Sequence, residues 1–441
     1  MRWDGQSGQD RAGTRLPDGM TPPRRPRRLP RLPPASPGRH RLNKLFYVAA
    51  VLGIGTSLWA YWLTYTDLRD RAASEERIAE ACGGMLDAEA VMELRGGFGR
   101  AVAWGAGGGA LQPGATPREC RVGWDRGRNG HQGSFSLLVR TPEDPTPMHL
   151  VGDSVRLEPF GHRGTLASRP ADVTRRADHA EPRPLGDGAL GHYTDDAVTV
   201  RTDCAAGKPS ALQVTAKAGY DDVSDADREI LAGLARDSLT RAAARLGCRM
   251  PRLPEVPDEV RGPGRELSAP ETARASCAWY ARHLDDTRRG RLPDRLLEAP
   301  TGAGSTKETC LLAVSPRGVR ATTPHLSGSQ RRLTDSALTH SPWWMRTASF
   351  FGAEARSVAV HDYDEPHAAR PGTAGGGEGL GAWWASSVCD GRPAVHTLTV
   401  SYTYDNLTRD RLRALFRAYV DDITARRGCT DVTFPAPAAF R

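Results

Sequence analysis

The sequence predicts an α+β protein arranged as two tandem, disulfide-braced domains behind one transmembrane helix. Three observations carry that prediction. Eight cysteines fall in two sets of four: Cys82, Cys120, Cys204 and Cys248, then Cys277, Cys310, Cys389 and Cys429. The intervals are 38, 84 and 44 residues in the first set and 33, 79 and 40 in the second, as two copies of one module would give. Upstream of both sets, Leu45 to Tyr65 is 21 residues without a charge. Before the last cysteine of each set, the apolar pattern passes from a strand-like segment into a helical one.

At about 1.5 Å per residue, the apolar segment spans roughly 31 Å, close to the hydrocarbon thickness of a bilayer. Phe46 and Tyr47 sit near one end, while Trp59, Tyr61, Trp62 and Tyr65 cluster near the other, as interfacial aromatics do. Arg39, Arg41 and Lys44 precede the segment; after it, Asp67 and Asp70 offset Arg69 and Arg71. The positive side stays inside, so residues 1–44 are expected to be cytoplasmic and residues 66–441 outside. A cleaved signal peptide fits less well, because the leader is long and the apolar run exceeds the usual h-region of about 7–15 residues. An oxidising location makes the even cysteine count read as a disulfide framework.

The first module ends in DCAAGKPSALQVTAKAGYDDVSDADREILAGLARDSLTRAAARLGC and the second in VCDGRPAVHTLTVSYTYDNLTRDRLRALFRAYVDDITARRGC. In the second, residues 395–402 alternate as a strand does, and Leu412, Leu415, Phe416, Tyr419, Val420 and Ile423 keep helical steps. Leu231, Leu234, Ala235, Leu239, Ala242 and Leu246 do the same in the first. Ser224 has the place of an N-cap, and Gly247 and Gly428 that of a left-handed terminal residue. A strand of about ten residues and a helix of about 22 cover nearly the same length, roughly 33 Å. The helix end therefore returns to the start of the strand, which pairs Cys204 with Cys248 and Cys389 with Cys429. Cys82–Cys120 and Cys277–Cys310 follow by elimination within each set, although four cysteines permit three pairings. Segments 134–139 and 197–200 have β character, with counterparts expected at 310–314 and 357–360. The domains expected are 66–250 and 268–441, joined by a proline-rich, stiff linker at 251–267.

The string CGGMLDAEAVMELRGG, followed later by CRVGW, resembles the opening of small secreted or lipid-anchored actinobacterial proteins of unknown function. The likeness covers about forty residues of the first module and is looser in the second, where Trp279 follows the first cysteine. Their lipid-attachment cysteine is absent, its place taken by the apolar helix. The resemblance implies that each domain is an antiparallel sheet packed by helices.

Charge excludes one class of function. Residues 1–44 hold eleven basic and three acidic side chains, so the net +8 belongs to this tail and the remaining 397 residues sum to zero. A nucleic-acid-binding domain would concentrate positive charge on itself. The TPPRRPRRLPRLPP tail instead suits anionic lipid head groups or a cytoplasmic protein that docks a proline helix. Of 60 basic residues only Lys44, Lys208, Lys217 and Lys307 are lysine.

Candidate chemistry is thin. The run His361–His367 offers imidazole and carboxylate ligands at a spacing that matches no calcium loop and reads as a solvated acidic loop. His179 and Glu181 are its nearest equivalents in the first module. Gly-Asp-Ser at 152–154 is like a nucleophile segment without an identified base. The glycine runs 105–109 and 375–379 lack the flanking strand, helix and lysine of a phosphate loop and read as flexible loops. Trp343-Trp344 and Trp383-Trp384 would point to opposite strand faces, leaving Trp344 and Trp384 as a candidate recognition surface. The sequence thus predicts a single-pass envelope protein that binds or scaffolds an unknown ligand or protein, with an envelope hydrolase as the alternative. No cofactor, metal or catalytic residue is assigned.

Overall fold

A computed structural model describes residues 37–96, 101–103, 118–124, 133–144, 147–152, 158–160, 172–205, 209–287, 290–339, 341–361 and 366–440. The chain forms two compact units, residues 1–65 and 66–441. In the first, helix α1 (Pro37–Ala81) begins. Its apolar stretch is unburied along its length, as a lipid-facing helix is, and it is the one helix among the described residues long and apolar enough to cross a membrane. Thr56 and Ser57 return their hydroxyls to the carbonyl of Gly53, so both hydroxyls are satisfied within the helix itself.

In the second unit, α1 runs on to Ala81 and buries Ser74 and Ile78. Then follow α2 (Ala88–Glu93), β1 (Ala101–Ala103), β2 (Glu119–Trp124), β3 (Gly133–Arg140), β4 (His149–Val151), β5 (Arg183–Leu185), β6 (Gly191–Tyr193), β7 (Ala197–Asp203), β8 (Ala211–Ala218) and α3 (Asp225–Leu246). Seven of the strands form an antiparallel sheet in the order β1-β2-β3-β8-β7-β6-β5. The apolar stripe of α3 lies in the same core as Phe135, Leu137, Val198, Val200 and Val214 of the sheet. Ser224 caps α3 and exchanges bonds with Asp227, and Gly247 closes it at φ 68°.

The second half holds α4 (Ala278–Asp286), β9 (Arg295–Glu298), β10 (Lys307–Ala313), α5 (Pro316–Thr322), α6 (Gly328–Thr339), β11 (Trp344–Phe351), β12 (Val358–Val360), β13 (His367–Ala368), β14 (Gly375–Gly377), β15 (Ala382–Cys389), β16 (Arg392–Val400), α7 (Tyr402–Arg426) and β17 (Thr430–Thr433). Its antiparallel sheet runs β14-β15-β16-β11-β10-β9, with β17 also paired to β15. Helix α7 starts at Tyr402, which the alternation had placed in the strand. The Ser401 hydroxyl accepts the backbone N–H of Trp344, and the chain turns there with Tyr404 N–H bonding to Ser401 O.

Read outward from the long central strands, β1-β2-β3-β8-β7-β6 and β9-β10-β11-β16-β15-β14 have the same order. The four cysteine pairs are those expected, with Cα–Cα distances of 5.0, 5.1, 5.2 and 4.1 Å. Cys120 on β2 and Cys310 on β10 hold matching places. The strand equivalences need correcting, however. Residues 310–314 occupy the place of β2 rather than of 134–139, because β10 lies next to β11 as β2 lies next to β3. Residues 357–360 correspond to no strand of the first sheet: β12 pairs in parallel with β4, Ala359 opposite Leu150, and β13 completes a small third sheet.

That third sheet ties the halves together inside one compact unit. The 251–267 segment helps, and it is pinned rather than merely stiff. The buried Arg228 guanidinium donates to the carbonyls of Val260, Asp195 and Val223, while Asp225 accepts the N–H of Gly262. Arg295 grips Asp172 with two bonds of 2.7 Å. Gly188 and Gly304 allow the loops at 187–189 and 302–305 to touch, since a Cβ on either would fall 2.7 Å from the facing backbone.

Candidate functional site: a cavity between the halves

The face of the second sheet turned away from α7 forms one wall of a cavity of about 320 Å³. Strand periodicity selects that wall. Lys307 pairs with Phe350, Thr309 with Ala348, Ala348 with Thr397 and Arg346 with Thr399, so all of them share one face. The first half supplies the opposite wall from Met148 to Gly152 around β4, from Glu158 and Pro159, from His179 to Pro182, and from Thr194. Junctions between packed units are where small-molecule sites commonly form.

Charges are concentrated here. Arg346 reaches across to the buried Glu181, at 3.1 Å from Nε and 2.9 Å from Nη2, and its guanidinium lies 6.0 Å from the Trp344 ring centre. His149 stacks on Phe350 at 4.5 Å, with its Nε2 3.2 Å from Oε2 of Glu354. Thr306 donates to the other oxygen of Glu354 at 2.9 Å. Burial alone would raise the Glu354 pKa, but contact with His149, backed by His192 and Arg201, holds it well below the usual carboxylate range. Burial lowers His149, which its contact with Glu354 opposes, and lowers His192 to about 3. Burial also lowers Lys307, whose ammonium sits 5.7 Å from the Phe350 ring centre. Among the described residues, that ammonium has no hydrogen-bond acceptor. The hydroxyl of Thr309, two residues along, is buried and has no partner among the described residues.

The tryptophan expectation changes accordingly. Trp344 is 1% exposed, covered by Phe160 and Ala177 of the first half together with Leu297, Leu311 and Ala313. It contributes to the cavity wall, not to an outer surface, because the first half packs onto the strand face that a lone domain would have left bare. Trp384 is half-buried, its Nε1 donating to Thr373 at 3.3 Å. Trp343 and Trp383 point the other way, into the helix-packed core, as adjacent strand residues must. The glycines at 375–377 form strand β14 instead of a loop. A Cβ at Gly375 would fall 2.4 Å from the Trp384 ring, so bare backbone is what allows the strand to lie on the tryptophans.

A buried hydroxyl–imidazole chain lies on the helix side of the same sheet. His396 contacts Ser349 at 2.7 Å through Nδ1 and Ser387 at 2.8 Å through Nε2, and Ser349 meets Tyr419 at 2.6 Å. All four are in the core, and burial lowers His396 to about 3, so it is a neutral, hydrogen-bonded core histidine. Ser349, Ser387 and His396 are each buried away from solvent among the described residues.

The remaining sequence candidates are dispersed. His361 bonds through its N–H to Val151 O at the cavity's end, while residues 362–365 lie outside the described residues. Gly152 lines the cavity; Asp153, Ser154 and the glycine run 105–109 are also outside the description. His179, Asp195 and Asp196 bring ligand atoms within 4.8 Å of one another. Those carboxylates are engaged already, Asp195 by Arg265 and the N–H of Ala180, Asp196 by Lys217 and Thr194. Sequence reasoning missed Lys307, Thr309, Arg346, His149 and Glu354. The one available signal was the rarity of lysine, which made Lys307 an exception in an arginine-rich chain.

No family model, curated protein or solved structure matches the chain. The long apolar helix and the disulfide-bonded unit after it fit a membrane-anchored protein with an extracellular domain.

Proposed function

We propose that the chain is a single-pass membrane protein of the bacterial envelope whose duplicated, disulfide-braced halves hold a small ligand between them outside the cytoplasm. The observation that carries this reading is the cavity of about 320 Å³, walled by both halves, on which buried polar side chains converge. Its size is at the low end of the roughly 300–1,000 Å³ typical of small-molecule sites. Duplication draws support from the shared six-strand order and from the two bridges closed within each half. The orientation rests on Arg39, Arg41 and Lys44 before the apolar stretch, which puts the basic tail beside anionic lipid or a cytoplasmic protein partner. Kinship with small disulfide-bearing actinobacterial proteins rests on CGGMLDAEAVMELRGG and CRVGW alone.

The test is thermal melting of the detergent-solubilised full chain against a panel of small metabolites. At least one compound should raise the melting temperature of the wild type and leave Ala348→Phe, which fills the cavity, unmoved. A panel that shifts neither chain, with the disulfides intact, sinks the reading.

A further inference from the structure

The cavity's chemistry goes one step past binding in general. We infer that its ligand is a small monoanion, a carboxylate on an apolar or aromatic body, with the acid group received by Lys307 and Thr309. This rests on the reading of the cavity as a binding site.

Lys307 and Thr309 stand two residues apart on β10 and therefore face the cavity together. The Thr309 side chain is 3% exposed and its hydroxyl has no partner among the described residues. A buried, unpaired hydroxyl is costly unless something docks against it. The ammonium beside it offers three donors and is likewise without an acceptor. Neighbouring cations are differently placed: Arg346 is spent on Glu181, and Arg201 on Asp203 at 2.8 Å. One oxygen-rich, negatively charged group would complete both open donors at once. It would also raise the Lys307 pKa, which burial now lowers.

Charge counting limits the ligand to a single negative charge. Arg346 is held by Glu181, and Glu158 also lines the cavity with Glu354 close by, so a second negative charge would meet carboxylates and, among the described residues, no second open cation. Phe350, Ala348 and Trp344 beside the two donors, with Leu150 and Pro159 opposite, give the rest of the ligand an apolar setting.

Calorimetric titration of the detergent-solubilised full chain with benzoate, benzyl alcohol and phenyl phosphate tests this. Benzoate should bind about tenfold more tightly than either of the others. Lys307→Met should erase that preference and leave benzyl alcohol unchanged, while Lys307→Arg should retain part of it. Benzyl alcohol matching benzoate, or Lys307→Met keeping the preference, would overturn the monoanion and leave a binding cavity standing. Preference for phenyl phosphate overturns the single-charge argument. Silence from all three probes overturns the inference, and a silent metabolite panel as well would take the cavity reading with it.

Discussion

Glu308 and Lys307 are neighbours on β10 and face opposite ways, and their surroundings differ as much as their charges. Glu308 is 3% exposed and fully answered: Arg426 reaches it at 2.6 Å, and Arg427 at 2.5 Å and 3.1 Å. Those bonds fasten the end of α7 to the sheet. On that face even the imidazole of His396 has both nitrogens occupied. One residue away, Lys307 and Thr309 face a cavity with their donors open. Glu308 and His396 help to fix the fold on the helix face, although Thr347 Oγ1 and Trp343 Nε1 there are also buried without a partner among the described residues; the cavity face differs in leaving a cation, Lys307, with its donors open.

Acid should strain both faces and has the largest expected effect. His192 and His396 have folded pKa values lowered from 6.5 to about 3, and that of His149 is lowered too. Between those values the unfolded chain takes protons that the fold refuses. Stability should be full above about pH 6.5 and fall by roughly 1 kcal/mol per pH unit for each such histidine as pH drops. Glu354, also lowered, adds a loss below the pKa of a free carboxylate. Urea unfolding at pH 7.5 and 5 checks this, and equal midpoints would refute it. His396→Leu should remove the share of the slope that belongs to the helix face.

Glu308→Ala sharpens the contrast further. It leaves two guanidiniums without their carboxylate and should cost about 3–5 kcal/mol. His396→Leu at pH 7.5 should cost about 1–3 kcal/mol, because Ser349 and Ser387 lose a buried partner. Lys307→Met should move stability by no more than about 0.5 kcal/mol or raise it, since it removes a desolvated ammonium with no hydrogen bond to lose. If Lys307→Met destabilised as much as Glu308→Ala, the two faces would not differ in kind. All three comparisons are read from denaturant midpoints of the full chain.

Much of the fold was legible because its signals are local. The step from alternation to helical spacing before Cys429 marks β16 and α7, and Ser224 and Gly247 mark the ends of α3. The cysteine pairs followed from matching the length of a strand to that of the helix folded back on it. The site was not legible in the same way. His149 and Glu354 are more than two hundred residues apart, and so are Pro159 and Thr397 on the two walls of the cavity. No sequence window contains such a pair. Trp344 was misplaced for the same reason: a strand residue pointing away from its own helix looks exposed until another half of the chain is laid over it.

By itself the sequence determined an apolar helix, two cysteine frameworks, and the strands and helices that the bridges close, since spacing and periodicity act over a few turns. Tertiary structure alone decided that β4 would pair with β12, that the Trp344 face would be roofed, and that Lys307 would be left with donors unmet. Those outcomes depend on how two separately patterned sheets dock. Docking is governed by shape and charge summed over side chains that are distant in the chain.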